Sequence, residues 1–428
     1  MSLYLLFIFL SLAFVPCIDA QGSSDISLPP PGEVSMVLEE SMFRRKSVRN
    51  FTTDPVSDED LSLVLWAAYG MQQDGDQTVP EILGNHAAVL YVLLEDAAYI
   101  YDPLNHSLVQ FKEGDWRDTV GHQYSAPVQL ALCFDLDIAD PCFAGEEIGM
   151  MAQNIAFMAN ALGLGTLVTA QIPPATDPLG LPDNQEGLSV MPLGHPDYDA
   201  YQFTYRPLWF SLLPRIQQSI MTVSTALEQR SEADTFTGTL SRQEHSQMMW
   251  ATCGYSYYRD KSNDPIYSKG RHRTIPSGKG YYPVDFYAVT EKGIYRYIPN
   301  LIQTHVVPVD FYGLPILTFA LRVVKGDYRN EVAQACDLSS IAESSFILLS
   351  VLDREKTRPL GQPDLSDDIF LLTWYHDAGA AAQNVLLEAT AWDIHANLYH
   401  ITDQSAICTL LDLDDTTNIP IYTIPMGK

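Results

Sequence analysis

The chain has 428 residues, 46% hydrophobic and 11% aromatic, enough for one large folded unit or two packed ones with a substantial core. Its 25 Lys and Arg stand against 53 Asp and Glu, a formal charge of -28, so long-range repulsion argues against nucleic acid or an anionic membrane as partner. From the N-terminus, residues 3–15 form a short apolar run, and Ile18-Asp19-Ala20 before Gln21 offers a small residue to a signal peptidase. Residues 1–20 therefore read as a secretory signal and the expected localisation is extracytoplasmic. No Lys or Arg precedes the run, which keeps an uncleaved membrane anchor open as the rival, although the run falls short of the ~20 residues a spanning helix needs. Residues 21–35, rich in Pro and Ser, read as an exposed lead-in.

Val37 to Phe43 reads as a short helix that delivers the chain to Arg44-Arg45-Lys46-Ser47-Val48-Arg49-Asn50-Phe51. Two kinds of cation and a hydroxyl crowd together here in an acidic protein. Arg offers a fork of donors matched to phosphate oxygens, so the run suits a phosphate monoester. A solvated basic surface, or a docking patch for an acidic neighbour, is the alternative. Ser57 then reads as the N-cap of a helix whose first turn carries Glu59 and Asp60, where carboxylates suit the helix dipole. Val89–Leu94 and Val128–Phe134 read as buried strands, and Gly149–Leu162 as a long helix stopped by Gly163. After loss of the signal, Cys133, Cys142, Cys253, Cys336 and Cys408 remain, an odd and scattered set. Cys133 and Cys142 either close a small loop or stay buried thiols. No CxxC, HExxH or paired-His spacing occurs, so no metal is assigned.

The same order of elements then returns. Ser57–Gly70 recurs as Ser241–Gly254, with Ser62, Leu65, Trp66 and Ala67 facing Ser246, Met249, Trp250 and Ala251. Thr78–Pro103 aligns without gaps on Thr274–Pro299, pairing Pro80, Gly84, Tyr91 and Glu95 with Pro276, Gly280, Tyr287 and Glu291. Gly149, Gln153 and Asn154 match Gly379, Gln383 and Asn384, and Met191-Pro192-Leu193-Gly194 is echoed by Ile424-Pro425-Met426-Gly427. A unit this long is a tandem duplication rather than a solenoid. The boundaries read as residues 36–215 for the first copy and 216–428 for the second. A duplicated domain commonly packs as the homodimer it descended from, about a pseudo-two-fold axis.

The two copies have lost different things. Carrying the helix alignment back places Arg45, Lys46, Ser47, Val48 and Arg49 opposite Gln229, Arg230, Ser231, Glu232 and Ala233, so the second copy gains a carboxylate and should hold no phosphate. Pro276-Ser277-Gly278-Lys279-Gly280 faces Pro80-Glu81-Ile82-Leu83-Gly84, so the first copy lacks the glycine turn and hydroxyl through which backbone donors approach a ligand. If the two retained motifs meet across the internal interface, they form one complete site and leave its symmetry mate dead. Gln153-Asn154 and Gln383-Asn384, kept in both copies, read as structural hydrogen-bond partners.

Taken together, Arg44–Phe51, the Leu-Trp-Ala-Ala-x-Gly helix, Arg273-Thr274-Ile275-Pro276-Ser277-Gly278-x-Gly280-Tyr281-Tyr282-Pro283, Gly-x-x-Ala-Gln-Asn and Met191–Gly194 resemble the FMN-dependent nitroreductase family, with the SagB-type thiazole-forming oxidoreductases as the nearest subgroup. The resemblance runs from about residue 36 to the C-terminus. It implies an α+β fold in each half, a central mainly antiparallel sheet flanked by helices, with the halves packed as an intrachain pseudo-dimer and one FMN between them. By the same resemblance Arg45, Lys46, Ser47 and Arg49 hold the phosphate end, with Arg206 as a further phosphate contact. Pro276, Ser277, Gly278, Lys279 and Gly280 come from the facing half, and Tyr281 and Tyr282 line the substrate pocket. Tyr255, Tyr257 and Tyr258 are further pocket candidates, with core packing as their alternative role. The implied activity is hydride transfer through the flavin between a reductant such as NAD(P)H and a small-molecule substrate, in a monomeric pseudo-dimer. A flavin-binding module without turnover and a structural pseudo-enzyme remain open beside it.

Overall fold

A computed structural model describes residues 25–121, 124–170, 177–197, 203–205, 210–260, 271–299 and 317–428; the side chains of residues 170, 203–205, 210, 256–260 and 271 lie outside that description. The signal at residues 1–20 and Arg206 fall outside the described residues.

The first half opens with helix α1 (Leu38–Arg44) and helix α2 (Asp58–Tyr69). Ser57 caps α2 as its sequence requires, its hydroxyl accepting from Asp60 N at 3.1 Å. Strands β1 (Ala88–Leu93), β2 (Ala97–Asp102), β3 (Ser107–Glu113) and β4 (Val128–Asp135) follow, then helix α3 (Pro141–Ala161) and strand β5 (Gln185–Gly194). Helix α3 starts eight residues before the Gly149 expected from sequence. Pro141 occupies its first turn, where a missing N–H costs nothing, and the Asp140 side chain accepts from Cys142 N.

The second half repeats the plan with α4 (Val223–Gln229), α5 (Arg242–Cys253), β6 (Tyr255–Asp260), β7 (Arg271–Arg273), β8 (Val284–Thr290), β9 (Gly293–Ile298), β10 (Leu317–Lys325), β11 (Phe346–Asp353), α6 (Leu371–Ala391) and β12 (Asn418–Gly427). Ser241 and Glu244 form a capping box on α5, the counterpart of the Ser57 cap.

Each half owns one sheet. The first runs Ile26–Ser27, β3, β2, β1, β4, β5, Gly165–Thr166, every neighbour antiparallel. The second runs Phe210–Ser211, β10, β9, β8, β11, β12, His395–Ala396, antiparallel apart from the first pair. The tandem arrangement is thus the one the repeat implied, and its α+β architecture the one the family resemblance implied. Phe210–Ser211 already pairs with the second sheet, and Pro214 O accepts from Ser246 Oγ just as Pro29 O accepts from Ser62 Oγ. The chain therefore joins the second sheet before residue 216.

The central strands β4 and β11 are apolar apart from the buried Gln129 and Ser350 and a terminal Asp in each, because both their faces are covered. On one face lies a single core shared by both halves, and on the other each sheet has its own smaller cluster. Through the shared core run α3 and α6, 21 residues each, crossing at Gly149 and Gly379. A Cβ at Gly379 would lie 1.9 Å from Glu146 O, and one at Gly149 would lie 2.1 Å from His376 O, so the helices touch backbone to backbone. Beside the crossing Gln153 Nε2 donates to Thr274 O at 2.8 Å and Gln383 Nε2 donates to Thr78 O at 3.0 Å, each amide reaching the other half. Asn154 and Asn384 donate to the same two carbonyls from their own halves. These repeated amides are structural, and they lock the pseudo-two-fold. The five cysteines described, Cys133 and Cys142 among them, are free thiols. No described helix is long and apolar enough to cross a membrane.

Candidate functional site

Helix α1 ends where its basic residues begin: Arg45 N donates to Ser41 O at 2.9 Å, and beyond it the chain is extended. Val48 N donates to Thr166 O, Thr52 N to His195 O and Asp197 N to Asn50 O, which lays residues 45–52 beside the end of β5 and the short strand Gly165–Thr166. Phe43 anchors this segment on the second half, its ring centroid 4.9 Å from that of Trp250. The consequence is a set of buried cations. Arg45 is 6% exposed and Lys46 7%, while Ser47 and Arg49 are half-buried.

The two halves meet at Arg45. Its Nε donates to Arg273 O at 3.0 Å across the interface, and among the described residues its guanidinium forms no ion pair. Burial holds its pKa below the ordinary arginine value; nearby Tyr282 opposes that shift and Arg49 adds to it. Arg273 is itself buried, its guanidinium 3.8 Å above the Tyr282 ring and 4.7 Å above that of Tyr255, whose hydroxyl accepts from its Nη2 at 3.2 Å.

From Arg273 the chain turns through the glycine motif. Gly280 N donates to Ser277 O at 3.0 Å and Tyr281 N to Gly278 O at 3.1 Å. Lys279, Gly280 and Tyr282 have φ of 54°, 74° and 48°, so two side-chain-bearing residues are held in the left-handed region. Pro276, Ser277, Gly278 and Gly280 are half-buried and Lys279 is exposed. Ser277 Oγ accepts from Tyr282 N at 2.9 Å and donates to Asp377 Oδ2, on α6, at 2.5 Å. Burial raises the Asp377 carboxyl above its ordinary pKa.

Of the basic run, Arg45 meets the second half at Arg273, three residues before the turn at Pro276–Gly280. Tyr282 belongs to the same cluster. Tyr281 does not line a pocket: it is 3% exposed, stacks on Trp374 at 5.9 Å and donates its hydroxyl to Pro363 O. Tyr255 is equally buried, in the core role that was its alternative, and the side chains of Tyr257 and Tyr258 lie outside the described residues. Sequence reasoning missed Arg273 and Asp377 as site residues. Their burial and partners exist only after folding, although the repeat pairs Asp377 with another carboxylate, Glu147.

The pseudo-symmetric cleft corrects one register. Arg230, not Gln229, caps α4 as Arg45 caps α1, and Arg230 Nη2 donates to Gln77 O at 2.8 Å, Gln77 being the repeat partner of Arg273. The second copy is one residue shorter between this cap and Ser241, which the ungapped alignment concealed. In the true register Lys46, Ser47 and Arg49 face Ser231, Glu232 and Asp234, so one guanidinium survives and two carboxylates are gained. Glu232 lies within electrostatic range of Arg230, Asp76, Glu81 and His86, and burial raises its pKa. Glu147, the counterpart of Asp377, is occupied here by Tyr69, His86 and the backbone N–H groups of Ala87 and Ala88. A phosphate placed in this cleft would meet Glu232, Glu81 and Asp76.

Comparison with known proteins bears on the family and the fold. The nitroreductase family matches over residues 42–195 and 237–428, both halves of the chain. The curated protein "Putative nitroreductase MJ1384" of Methanocaldococcus jannaschii is 29% identical over 168 residues, which is 33% of this chain and 82% of that protein. A crystal structure described as a "putative nitroreductase" from Anabaena variabilis superposes over 97% of this chain and 93% of its own with a TM-score of 0.66, at 14% identity, and so shares the two-half fold.

Proposed function

We propose that this chain, which belongs to the nitroreductase family, is an FMN-dependent oxidoreductase that binds one flavin between its halves, nearest within the family to the SagB-type oxidoreductases. The observation that carries the reading is the buried Arg45 guanidinium, 6% exposed and donating to Arg273 O at 3.0 Å while forming no ion pair among the described residues. A buried cation held only by a neutral carbonyl is unfavourable unless an anion joins it, and a phosphate monoester supplies one. The residues present therefore fit the cofactor: Arg45, Lys46, Ser47 and Arg49 hold the phosphate end, and Pro276, Ser277, Gly278, Lys279 and Gly280 form the seat for the ring; the family resemblance adds Arg206, outside the described residues, as a further phosphate contact.

FMN, when bound, carries the hydride between reductant and substrate. What the chain contributes is binding, orientation and charge. The cations of residues 45–49 fix one end of the ligand, and the left-handed turn brings backbone close to the other because Gly280 has no side chain to hinder it. Lys279, exposed at the rim of that turn, stabilises negative charge that develops on the ring side of the site. Tyr282, with Arg273 stacked on its ring, bounds the cleft where a small-molecule substrate and a reductant such as NAD(P)H enter. In this reading the protein acts outside the cytoplasm as a monomeric pseudo-dimer, its first 20 residues a signal, with the second copy beginning by about residue 210 instead of 216.

The test is flavin retention. Mildly purified protein should show flavin absorbance bands and release FMN on denaturation. The double variant Arg45→Ala, Arg49→Ala should lose the flavin, since each removes a charge-assisted contact of about 1.5–3 kcal/mol. Unchanged FMN affinity in that variant would sink the site. Reduction by NAD(P)H followed by reoxidation with a quinone or nitroaromatic tests turnover, and an inert bound flavin would leave a binding module instead.

A further inference from the structure

Asp377 has no counterpart in what the sequence motifs assign. It sits on α6, 3% exposed, in the helix turn next to the pseudo-two-fold crossing. Its Oδ2 accepts the Ser277 hydroxyl, and Ser277 Oγ in turn accepts Tyr282 N, so one hydroxyl ties both ends of the left-handed turn to a fixed helix. That turn needs a tie. Lys279 and Tyr282 occupy φ values of 54° and 48°, each costing about 1–2 kcal/mol for a residue with a Cβ, and such strain persists only where surrounding contacts over-determine it. Tyr282 then supports Arg273, whose carbonyl receives Arg45. A continuous path of contacts therefore joins Asp377 in the second half to the buried cation of the first. At the pseudo-symmetric position Glu147 is bonded to Tyr69, His86, Ala87 N and Ala88 N, and no hydroxyl stands at Glu81 where Ser277 stands. The second cleft has redirected the same carboxylate to hold its own strand.

We propose that Asp377 is a positioning residue, which through Ser277 holds the Pro276–Tyr282 turn in the conformation that completes the site against Arg45. The role of that turn as a flavin seat rests on the function proposed above; the tie itself does not. Burial raises the pKa of this carboxyl, against the opposing pull of the neighbouring His376, whose Nδ1 lies 3.9 Å from Asp377 Oδ1.

The experiment uses the full-length protein freed of flavin, with Asp377→Ala, Asp377→Asn, Ser277→Ala and the Asp377→Ala, Ser277→Ala double variant. Amide hydrogen exchange of Gly280 and Tyr282 is measured without ligand, and FMN affinity by fluorescence titration. Asp377→Ala and Ser277→Ala should each speed exchange at the turn at least tenfold and weaken FMN at least tenfold, with α6 amides unchanged. The double variant should be no worse than either single one. Asp377→Asn, which keeps an oxygen able to accept from Ser277, should restore both readouts to within a few-fold of the native protein. Native exchange in Asp377→Ala, additive effects in the double variant, or failure of Asp377→Asn to rescue would each overturn the proposal. Should Asp377→Ala not fold, Ser277→Ala, a partly exposed position, decides the same question. If the native protein binds no FMN, the proposed function fails, and the exchange data still decide whether Asp377 holds the turn.

Discussion

Glu388 lies fully buried on α6, where Gln247 Nε2 donates to its Oε1 at 2.6 Å and the Trp392 indole N–H donates to the same oxygen at 3.1 Å. The same indole reaches Glu39 Oε1 at 3.2 Å, so two buried carboxyl groups share one donor. Glu39 also receives Ser219 N and Ser219 Oγ, whereas Glu388 Oε2 has no partner among the described residues. Glu388 is therefore the group that keeps a proton: burial first, and Glu39 second, push its pKa well above 4.5. Because the folded-state value is raised, the unfolded chain releases this proton first as pH climbs. The contribution is intact below about 4.5 and declines between there and the raised folded value, at up to ~1.4 kcal/mol per pH unit. Glu388→Gln should flatten that decline, so denaturation midpoints at pH 5 and pH 8 should lie closer together than in the native protein. An unchanged gap would show that Glu388 is ionised in the fold. Arg45 answers burial differently: a guanidinium stays charged, and the remaining remedy is an anion, which is why its environment points to a ligand.

The crossing of α3 and α6 does for the elements what Arg45 does for the residues: it fixes one half against the other. Ridge-into-groove packing would hold two such helices 8–10 Å apart, and the glycine pair lets their backbones approach. Gly379→Ala would put a methyl 1.9 Å from Glu146 O, a backbone atom that cannot swing away, so the helices must separate. The expected result is a loss of about 3 kcal/mol or more in denaturant unfolding, with weaker FMN binding, since the two cleft walls ride on these helices. A midpoint shift within error would contradict the close crossing. Gly32→Ala is the matched control, because a Cβ there meets nothing within 4 Å and the position lies outside the proposed site. At this scale much was legible in advance. The repeated Gly-x-x-Ala-Gln-Asn marked an interface helix, and the buried amides bore that out. The start of α3 was not legible, because the Asp140 cap and Pro141 lie among residues whose helical pattern is weaker than that after Gly149.

For the whole molecule, the two pseudo-symmetric positions differ in charge: Arg45 forms no ion pair among the described residues, whereas Arg230 has Glu232 at 4.0 Å, which predicts a single anion site. Equilibrium dialysis with FMN should give one site per chain, and a stoichiometry of two would show that Glu232, Glu81 and Asp76 do not exclude phosphate. What the sequence determined by itself was the doubling of the fold and the charge gained or lost between its copies, while the antiparallel α+β plan came from the family resemblance. The doubling is carried by collinear matches along the chain and by changes at repeated positions, neither of which needs three-dimensional knowledge. The tertiary structure alone decided that Arg230 and not Gln229 answers Arg45, that Tyr281 is core, that Asp377 receives Ser277, and that Arg273 receives Arg45. Each of these depends on partners far apart in the chain, 228 residues for Arg45 and Arg273, 100 for Ser277 and Asp377. Such a contact leaves no local trace, because neither residue's identity changes until folding removes water from both and leaves each as the other's partner.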